Sequence, residues 1–199
     1  MTDAPLEAPV IGAVVIGASA GAVEALSRLL PAFPADYPAP VLVVVHVPAG
    51  RGNVLVPLFQ ARCRAVVKEA EDKEPLRGGT IYFAPSDYHL LVEPDHTVSL
   101  SSDAPVLHSR PSIDVLFESA ADAFGPALAG VVLTGANEDG AAGLRAIEAA
   151  GGRVLVEDPA GAYAPAMPAA ALAACEAARR LSLDAIGSHL VDLAAACPA

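Results

Sequence analysis

Short apolar stretches, rich in β-branched residues, recur along the chain and predict the strands of a sheet. Most of these stretches are apolar at nearly every position, which is typical of parallel strands that are covered on both faces. Strands with one face in water would instead alternate between apolar and polar residues. We predict five buried strands, over residues 13–16, 41–45, 80–84, 130–133 and 153–156.

Segments with helical periodicity lie between several of these strands. The segment 112–124 begins with a serine suited to an N-cap, Ser112, and ends at Gly125. The other predicted helices cover residues 20–30, 141–150 and 168–179, and we expect a closing amphipathic helix over residues 181–196. The alternation of strands and helices predicts an α/β fold, with a doubly wound, mostly parallel sheet and helices on both faces.

One region, residues 80–101, departs from this alternation. Its sequence, "TIYFAPSDYHLLVEPDHTVSLS", is typical of short strands joined by turns, so we expect a small antiparallel hairpin addition. No internal repeat and no Gly/Ser-rich linker divides the chain. We therefore expect a single domain over residues 10–195, preceded by a flexible tail over residues 1–9.

The amino-acid composition limits the kinds of protein and of partner that are expected for this chain. With 54% hydrophobic residues, the 199-residue chain can form one substantial core. It has no run of about 18 apolar residues and no basic, apolar leader, so we expect a cytoplasmic protein without membrane insertion. The net charge is −11, which argues against nucleic acid as a partner. Three widely spaced cysteines indicate neither a disulfide framework nor a metal site.

The segment "VVIGASAGAVEAL" places Ser19 between the first predicted strand and the first predicted helix. It matches the pattern G-x-S-x-G, in which a serine at a sharp strand-to-helix turn presents its hydroxyl away from the sheet. The N-terminus of the following helix offers N–H groups to an oxyanion, and equally to a phosphate. Ser19 is therefore a candidate nucleophile, and a phosphate-binding or merely structural turn is the alternative.

Two other predicted strands end in residues that would complete a catalytic triad. His46 follows the strand 41–45, and a neutral imidazole there can accept the proton of a serine hydroxyl. The turn "TGANEDG" carries Glu138 and Asp139, and an acid there can orient the imidazole. Taken singly, His46 could be a loop residue and Asp139 a helix cap. Because ligands collect at the carboxyl ends of parallel strands, we predict a triad in the chain order Ser, His, Asp.

This order differs from that of the usual α/β-hydrolase, in which the acid precedes the histidine. The chain instead resembles the CheB-type protein-glutamate methylesterases of bacterial chemotaxis. The resemblance covers residues 10–177 and rests on six motifs in the family's order: "VIGASAGAVEAL", "VVVHVPAG", "IYFAPSDYHLLVE", "SRPSIDVLFESAA", "GVVLTGANEDGAAGLRAI" and "MPAAAL".

The resemblance implies that Ser19 is the nucleophile, His46 the general base and acid, and Asp139 the orienting carboxylate. It further implies an oxyanion hole formed by the backbone N–H groups of Ala20 and Ala136. The family hydrolyses glutamate γ-methyl esters on the helical bundles of chemoreceptors, and some members deamidate receptor glutamines, without a metal or an organic cofactor. The expected partner is a chemoreceptor, and a separate receiver or signalling protein is a further candidate.

Three features depart from the family pattern. The phosphoryl-receiver domain that regulated members carry, which needs about 120 residues, is not found before the first strand. The usual glycine pair after the serine is Gly21-Ala22 here, and the usual "TGMG" is "TGAN".

Arg110 follows the family pattern in "SRPS", where it could meet an acidic receptor surface or make a contact at a helix start.

Two other functions are compatible with the same residues. A serine hydrolase could act on a small-molecule ester, which would not require a site open enough for a protein substrate. A non-catalytic nucleotide-binding or signalling adaptor could use "GASAGA" to hold a phosphate. This last alternative leaves His46 and Asp139 unexplained, and the chain lacks both the P-loop lysine and a complete G-x-G-x-x-G motif.

Overall fold

The computed structural model describes residues 11–46 and 54–195, and most of its strands form one parallel sheet. Two further strands form a separate antiparallel hairpin. In chain order, the strands of the described residues are β1 (Ala13–Ala18), β2 (Val41–Val45), β3 (Val66–Glu69), β4 (Thr80–Phe83), β5 (His89–Val92), β6 (Val98–Ser101), β7 (Leu128–Val132), β8 (Arg153–Glu157) and β9 (Arg179–Leu181).

Helices connect most of the strands. In chain order, those of the described residues are α1 (Ala22–Leu29), α2 (Leu55–Gln60), α3 (Ile113–Phe124), α4 (Ala141–Ala149), α5 (Ala166–Ala174) and α6 (Leu183–Ala195). Short 3₁₀ turns follow α1 at residues 30–32 and α3 at residues 125–127. No helix in this part of the chain is both long and apolar enough to span a membrane.

The parallel sheet has the strand order β3-β4-β2-β1-β7-β8-β9. The chain begins at the centre with β1, builds outwards through β2 and β4, and then returns through α3 to place β7 on the other side of β1. In register, Ile16 of β1 lies opposite Val43 of β2 on one side and Val131 of β7 on the other. The direction of winding therefore reverses beside β1, and ligand sites of open α/β sheets form at such a reversal.

Helices cover both faces of the sheet, which explains why every residue of β1 is buried. Val14 and Ile16 belong to the core shared with α1 and α6, whereas Ala13 and Val15 belong to the core shared with α3 and α4. Because successive side chains of a strand point to opposite faces, both faces of β1 must be apolar. The uniformly apolar stretches of the sequence are a consequence of this double coverage.

The predicted fold class is confirmed: the sheet is parallel and doubly wound, and the hairpin of β5 and β6 is the antiparallel addition. Residues 80–83 belong to the parallel sheet and not to the hairpin. The predicted helix 168–179 is wrong at its end, because α5 stops at Ala174 and residues 179–181 pair with β8. The predicted tail, residues 1–9, lies outside the described residues.

Candidate active site

Ser19 follows the last residue of β1 and lies in the turn that leads into α1. The turn requires a residue with positive φ, and Gly21 meets this requirement with a φ of 85°. The Ser19 N–H donates to the Thr134 carbonyl oxygen at 2.9 Å, and the Ser19 carbonyl accepts from the Ala22 N–H at 2.9 Å. The serine is therefore held at the carboxyl end of the central strand, between strand and helix.

Thr134, which lies just beyond β7, ties this turn to the neighbouring loops. Its hydroxyl donates to the Ala20 carbonyl and accepts from the Ala164 N–H, each at 2.8 Å. Its N–H donates to Oε2 of Glu157, a carboxylate that is only 3% exposed, at 2.8 Å. Burial raises the pKa of Glu157, and the Thr134 hydrogen bond opposes this rise. Sequence reasoning did not single out Thr134 or Glu157, because their partners are distant in the chain.

His46 follows β2 and contacts Asp139, which lies in the turn between β7 and α4. Nε2 of His46 lies 2.7 Å from Oδ2 of Asp139. The His46 side chain is 13% exposed and that of Asp139 is fully buried. Because an ionised carboxylate only accepts hydrogen bonds, Nε2 of His46 carries the proton that joins the two groups. The structure thus brings together two of the residues predicted for the triad.

The Asp139 carboxylate also caps the N-terminus of α3. Its Oδ2 accepts from the Ile113 N–H at 2.8 Å, and its Oδ1 accepts from the Asp114 N–H at 3.0 Å and from Oγ of Ser112 at 2.9 Å. Burial by itself raises the pKa of Asp139, but the hydrogen bonds from His46 and from the start of α3 outweigh it and hold the pKa below its ordinary value.

The expected capping role of Ser112 is only half right. Ser112 occupies the N-cap position with an extended backbone, yet its side chain makes no capping hydrogen bond to α3. Asp139, a residue 26 positions away from Ile113, supplies the capping oxygens instead. Ser112 supports that carboxylate, and its own N–H donates to Nδ1 of His89 at 3.1 Å.

Asp114, a residue of α3, in turn caps the N-terminus of α4. Its Oδ1 accepts from the N–H groups of Gly140 and Gly143 at 2.9 and 2.7 Å. Burial raises the pKa of Asp114 to about 6, while the two glycine hydrogen bonds oppose the rise and the charge of Asp139 adds to it. Two carboxylates therefore cap one another's helices, which fixes the position of Asp139 from both sides.

Ser19 and His46 line the same open cavity, of about 670 Å³. Among the described residues, none forms a hydrogen bond with the Ser19 hydroxyl; in structures without substrate, the hydrogen bond between a serine and its base is often not yet formed. The other residues that line the cavity are Gly21, Ala22, Val23, Glu24, Ser27, Val45, Leu55, Arg62 and Tyr163.

Ala20 and Ala136, the residues predicted for the oxyanion hole, lie on the two loops that Thr134 joins. Ala20 follows Ser19 directly, and Ala136 lies two residues after Thr134. Within residues 11–46 and 54–195, neither of these backbone N–H groups donates a hydrogen bond. An N–H group without a protein acceptor is available to a negative charge that develops on a bound substrate.

Two other charged candidates lie away from this chemistry. Glu138 is exposed and its carbonyl accepts from the Ala141 N–H at the start of α4, whereas its neighbour Asp139 contacts His46. Nη1 of Arg110 donates to the carbonyl oxygens of Ser102 and Asp103 at 2.8 and 3.0 Å. The guanidinium therefore holds the loop that leads into α3.

A doubly wound sheet that carries a serine at a strand-to-helix turn and a histidine beside a buried carboxylate is typical of serine hydrolases. The chain belongs to the CheB methylesterase family, whose sequence model matches residues 14–190. It is accordingly a methylesterase of the chemotaxis system.

Individual relatives agree with this assignment. A relative from Leptospira interrogans is 42% identical over 181 residues, which span 91% of this chain and 94% of that protein. The protein-glutamate methylesterase/protein-glutamine glutaminase 4 of Myxococcus xanthus is 40% identical over 91% of this chain and 51% of its own length. The crystal structure of the Thermotoga maritima CheB methylesterase catalytic domain superposes with a TM-score of 0.87 at 31% identity, covering 93% of this chain and all of that one.

Proposed function

We propose that this protein hydrolyses glutamate γ-methyl esters on chemoreceptors, with Ser19 as nucleophile, His46 as general base and acid, and Asp139 as the orienting carboxylate. The observation that carries the proposal is the 2.7 Å hydrogen bond between Nε2 of His46 and the buried Asp139 carboxylate, in a cavity that His46 shares with Ser19. The arrangement matches the roles of a nucleophile, a base and a group that orients the base.

In the first half of the proposed reaction, Oγ of Ser19 attacks the ester carbonyl carbon and its proton passes to Nδ1 of His46. The carbonyl oxygen becomes an oxyanion, which the N–H groups of Ala20 and Ala136 stabilise. When the carbon–oxygen bond to the methoxy group breaks, His46 returns the proton to that oxygen. Methanol leaves, and the glutamyl group remains bound to Ser19 as an ester.

In the second half, a water molecule attacks the glutamyl-serine carbonyl and gives its proton to His46. Collapse of the tetrahedral intermediate breaks the bond to Ser19, which recovers the proton from His46. The product is a glutamic acid side chain, which loses the second proton of the attacking water to solvent and is released as a carboxylate. A glutamine side chain would follow the same steps with ammonia as the leaving group, and this deamidation is part of the proposal.

Asp139 remains ionised through both halves of this cycle. Two N–H groups at the start of α3 and the Ser112 hydroxyl donate to its carboxylate, and the helix N-terminus favours negative charge. The carboxylate therefore stabilises the imidazolium form of His46 without taking its proton. It also fixes the tautomer that leaves Nδ1 free to act as the base.

The open cavity supports a protein substrate rather than a small ester, because a segment of another protein can approach Ser19 without entering a closed pocket. Chemoreceptor methylation sites lie on cytoplasmic helices, so the proposal includes a cytoplasmic location.

The proposal is tested by methanol release from methylated receptor membranes, comparing the wild-type protein with Ser19→Ala. Loss of a triad nucleophile lowers kcat by about 10⁴- to 10⁶-fold, so we expect no measurable release from the variant. Ser188→Ala, which removes an exposed hydroxyl on α6, is the matched control and should retain wild-type activity. Release by Ser19→Ala at a tenth of the wild-type rate would rule out Ser19 as the nucleophile.

A further inference from the structure

Two large apolar side chains on the wall of the Ser19 cavity are exposed to water. Tyr163 is 77% exposed and Val23 is 48% exposed, and both line the cavity. Val23 is not needed for the core, because α1 buries Ala22, Ala25, Leu26 and Leu29 on its opposite side. Exposed apolar side chains that cluster around a functional cavity are typical of an interaction surface.

Tyr163 is held in place although it is exposed. A Cβ atom added to Gly21 would lie only 2.7 Å from Cβ of Tyr163, so the tyrosine packs directly on the turn that carries Ser19. The next residue, Ala164, donates its N–H to Thr134 and accepts from the N–H of Gly135 at 3.0 Å. A fixed aromatic side chain loses little conformational entropy when a partner covers it.

Arg62 provides a positive charge at the same cavity. It lies between α2 and β3, on the β2 side of the sheet, whereas Tyr163 lies beyond β8 on the other side of β1. Its Nη1 donates to Oγ of Ser27 at 2.8 Å, which leaves other guanidinium N–H groups for a partner. Among the described residues of this lining, Glu24 is the acidic one, so Arg62 and Glu24 offset each other in charge although the whole chain carries −11.

We propose that Val23, Arg62 and Tyr163 form the docking surface for the substrate helix of the receptor. The inference rests on the function proposed above and adds the residues that recognise the protein part of the substrate. The helix should present an apolar side chain to Val23 and Tyr163 and a carboxylate to Arg62, close to the esterified glutamate.

The chemistry of the substrate supports this choice of partner. Each hydrolysed ester leaves a glutamate, so a helix with several such sites gains negative charge near the esters that remain. An acidic enzyme would repel such a helix, and Arg62 offsets that repulsion where the two proteins meet. A small ester reaches Ser19 without covering Val23 or Tyr163.

The test compares two substrates, methylated receptor membranes and p-nitrophenyl acetate, with Tyr163→Ala and Arg62→Ala. Removing an interfacial aromatic or arginine typically weakens binding about tenfold or more, so we expect KM for the receptor to rise about tenfold with kcat nearly unchanged. Activity on p-nitrophenyl acetate should stay within about twofold of wild type. The ratio of receptor KM between Arg62→Ala and wild type should fall towards one as NaCl is added, because salt screens the attraction that Arg62 provides.

Tyr88→Ala and Arg145→Ala are the matched controls. Tyr88 is 46% exposed and Arg145 is exposed on α4, and neither lines the Ser19 cavity. Both controls should leave KM for the receptor unchanged. If Tyr163→Ala does not fold, the two substrates are compared with Val23→Ser instead, a substitution on the exposed face of α1.

The outcomes separate this inference from the proposed function. A wild-type protein that cleaves p-nitrophenyl acetate but releases no methanol from receptors would refute the proposed function, and the docking surface with it. An active wild-type protein whose receptor KM is unchanged in Tyr163→Ala, Val23→Ser and Arg62→Ala would refute the docking surface alone. Equal losses on both substrates would also refute it, because Tyr163 would then support the Ser19 turn and not the receptor.

Discussion

The Ser112 hydroxyl offers a direct test of how α3 and the candidate triad depend on one another. Its Oγ donates to Oδ1 of Asp139 at 2.9 Å, and both side chains are buried. Ser112→Ala removes this donor and leaves a buried, ionised oxygen with one hydrogen bond fewer. A hydrogen bond to a charged group contributes about 1.5–3 kcal/mol to stability, so we expect the variant to be destabilised by that amount at pH 7.

The stability that Ser112→Ala loses should depend on pH, because the Ser112 hydroxyl favours the ionised form of Asp139. The pKa of Asp139 is lowered in the folded protein, so its contribution to stability is present above the ordinary aspartate pKa of about 3.9. That contribution disappears as the pH falls through the lower, folded-state pKa. A hydrogen bond between neutral groups contributes about 0.5–1.5 kcal/mol, so the difference between wild type and Ser112→Ala should shrink in acid.

Denaturant unfolding across the acid range in which the wild type remains folded measures this difference. Ser119→Ala is the control within the same helix, since its Oγ donates to the carbonyl oxygens of Val115 and Leu116 and not to a carboxylate. Its stability loss should not change with pH. In the esterase assay, Ser112→Ala should lower kcat/KM about tenfold and Ser119→Ala should have no effect. A pH-independent loss for Ser112→Ala, with unchanged kcat/KM, would refute the reasoning.

Three further predictions concern the same elements. Asp139→Asn should lower kcat in the esterase assay by about 10⁴-fold, because the amide permits the wrong imidazole tautomer. Glu138→Gln should keep a kcat near that of wild type; the reverse pattern would contradict the choice of Asp139 as the orienting carboxylate. Asp114 has a folded-state pKa of about 6, above its unfolded value, so wild-type stability should fall by roughly 2 kcal/mol between pH 4 and 7 relative to Asp114→Asn, which keeps an oxygen for the α4 N–H groups; parallel unfolding curves against pH would contradict this. Gly17→Ala places a Cβ against the side chain of Ile113, which is buried at the start of α3, and should cost about 1–3 kcal/mol in urea unfolding. Gly161→Ala, whose added Cβ lies 3.7 Å from its nearest neighbour, should be neutral; equal stability of the two variants would contradict this prediction.

The cap that Asp139 provides has a functional consequence. The Asp139 carboxylate is buried beside the His46 imidazole, and burial alone would favour its neutral form. The start of α3 supplies N–H donors that keep it ionised. The helix therefore replaces the water that an exposed aspartate would use, and the reciprocal contact of Asp114 with α4 keeps the two helix ends together.

The sequence by itself determined the buried centre of this protein. A parallel strand with helices on both faces must be apolar at every position, so the strands that became β1, β2, β4, β7 and β8 were evident from short local patterns. The same patterns placed Ser19, His46 and Asp139 after strand ends, and parallel strands end at one edge of the sheet. The proximity of His46 and Asp139 followed from that geometry without knowledge of distant contacts.

Only the tertiary structure decided the edges of the sheet and the support of the site. Val66–Glu69 and Arg179–Leu181 are mostly polar or exposed, because an edge strand has less of its surface covered, and no apolar pattern marks them. The alanine-rich segment 168–179 favours helix throughout, yet α5 ends at Ala174 and Arg179 pairs with β8. Likewise, local propensity selected Ser112 as the cap of α3, whereas Asp139 reaches that helix from a distant turn. Such contacts join residues far apart in the chain, and a local sequence pattern does not show which distant groups folding will bring together.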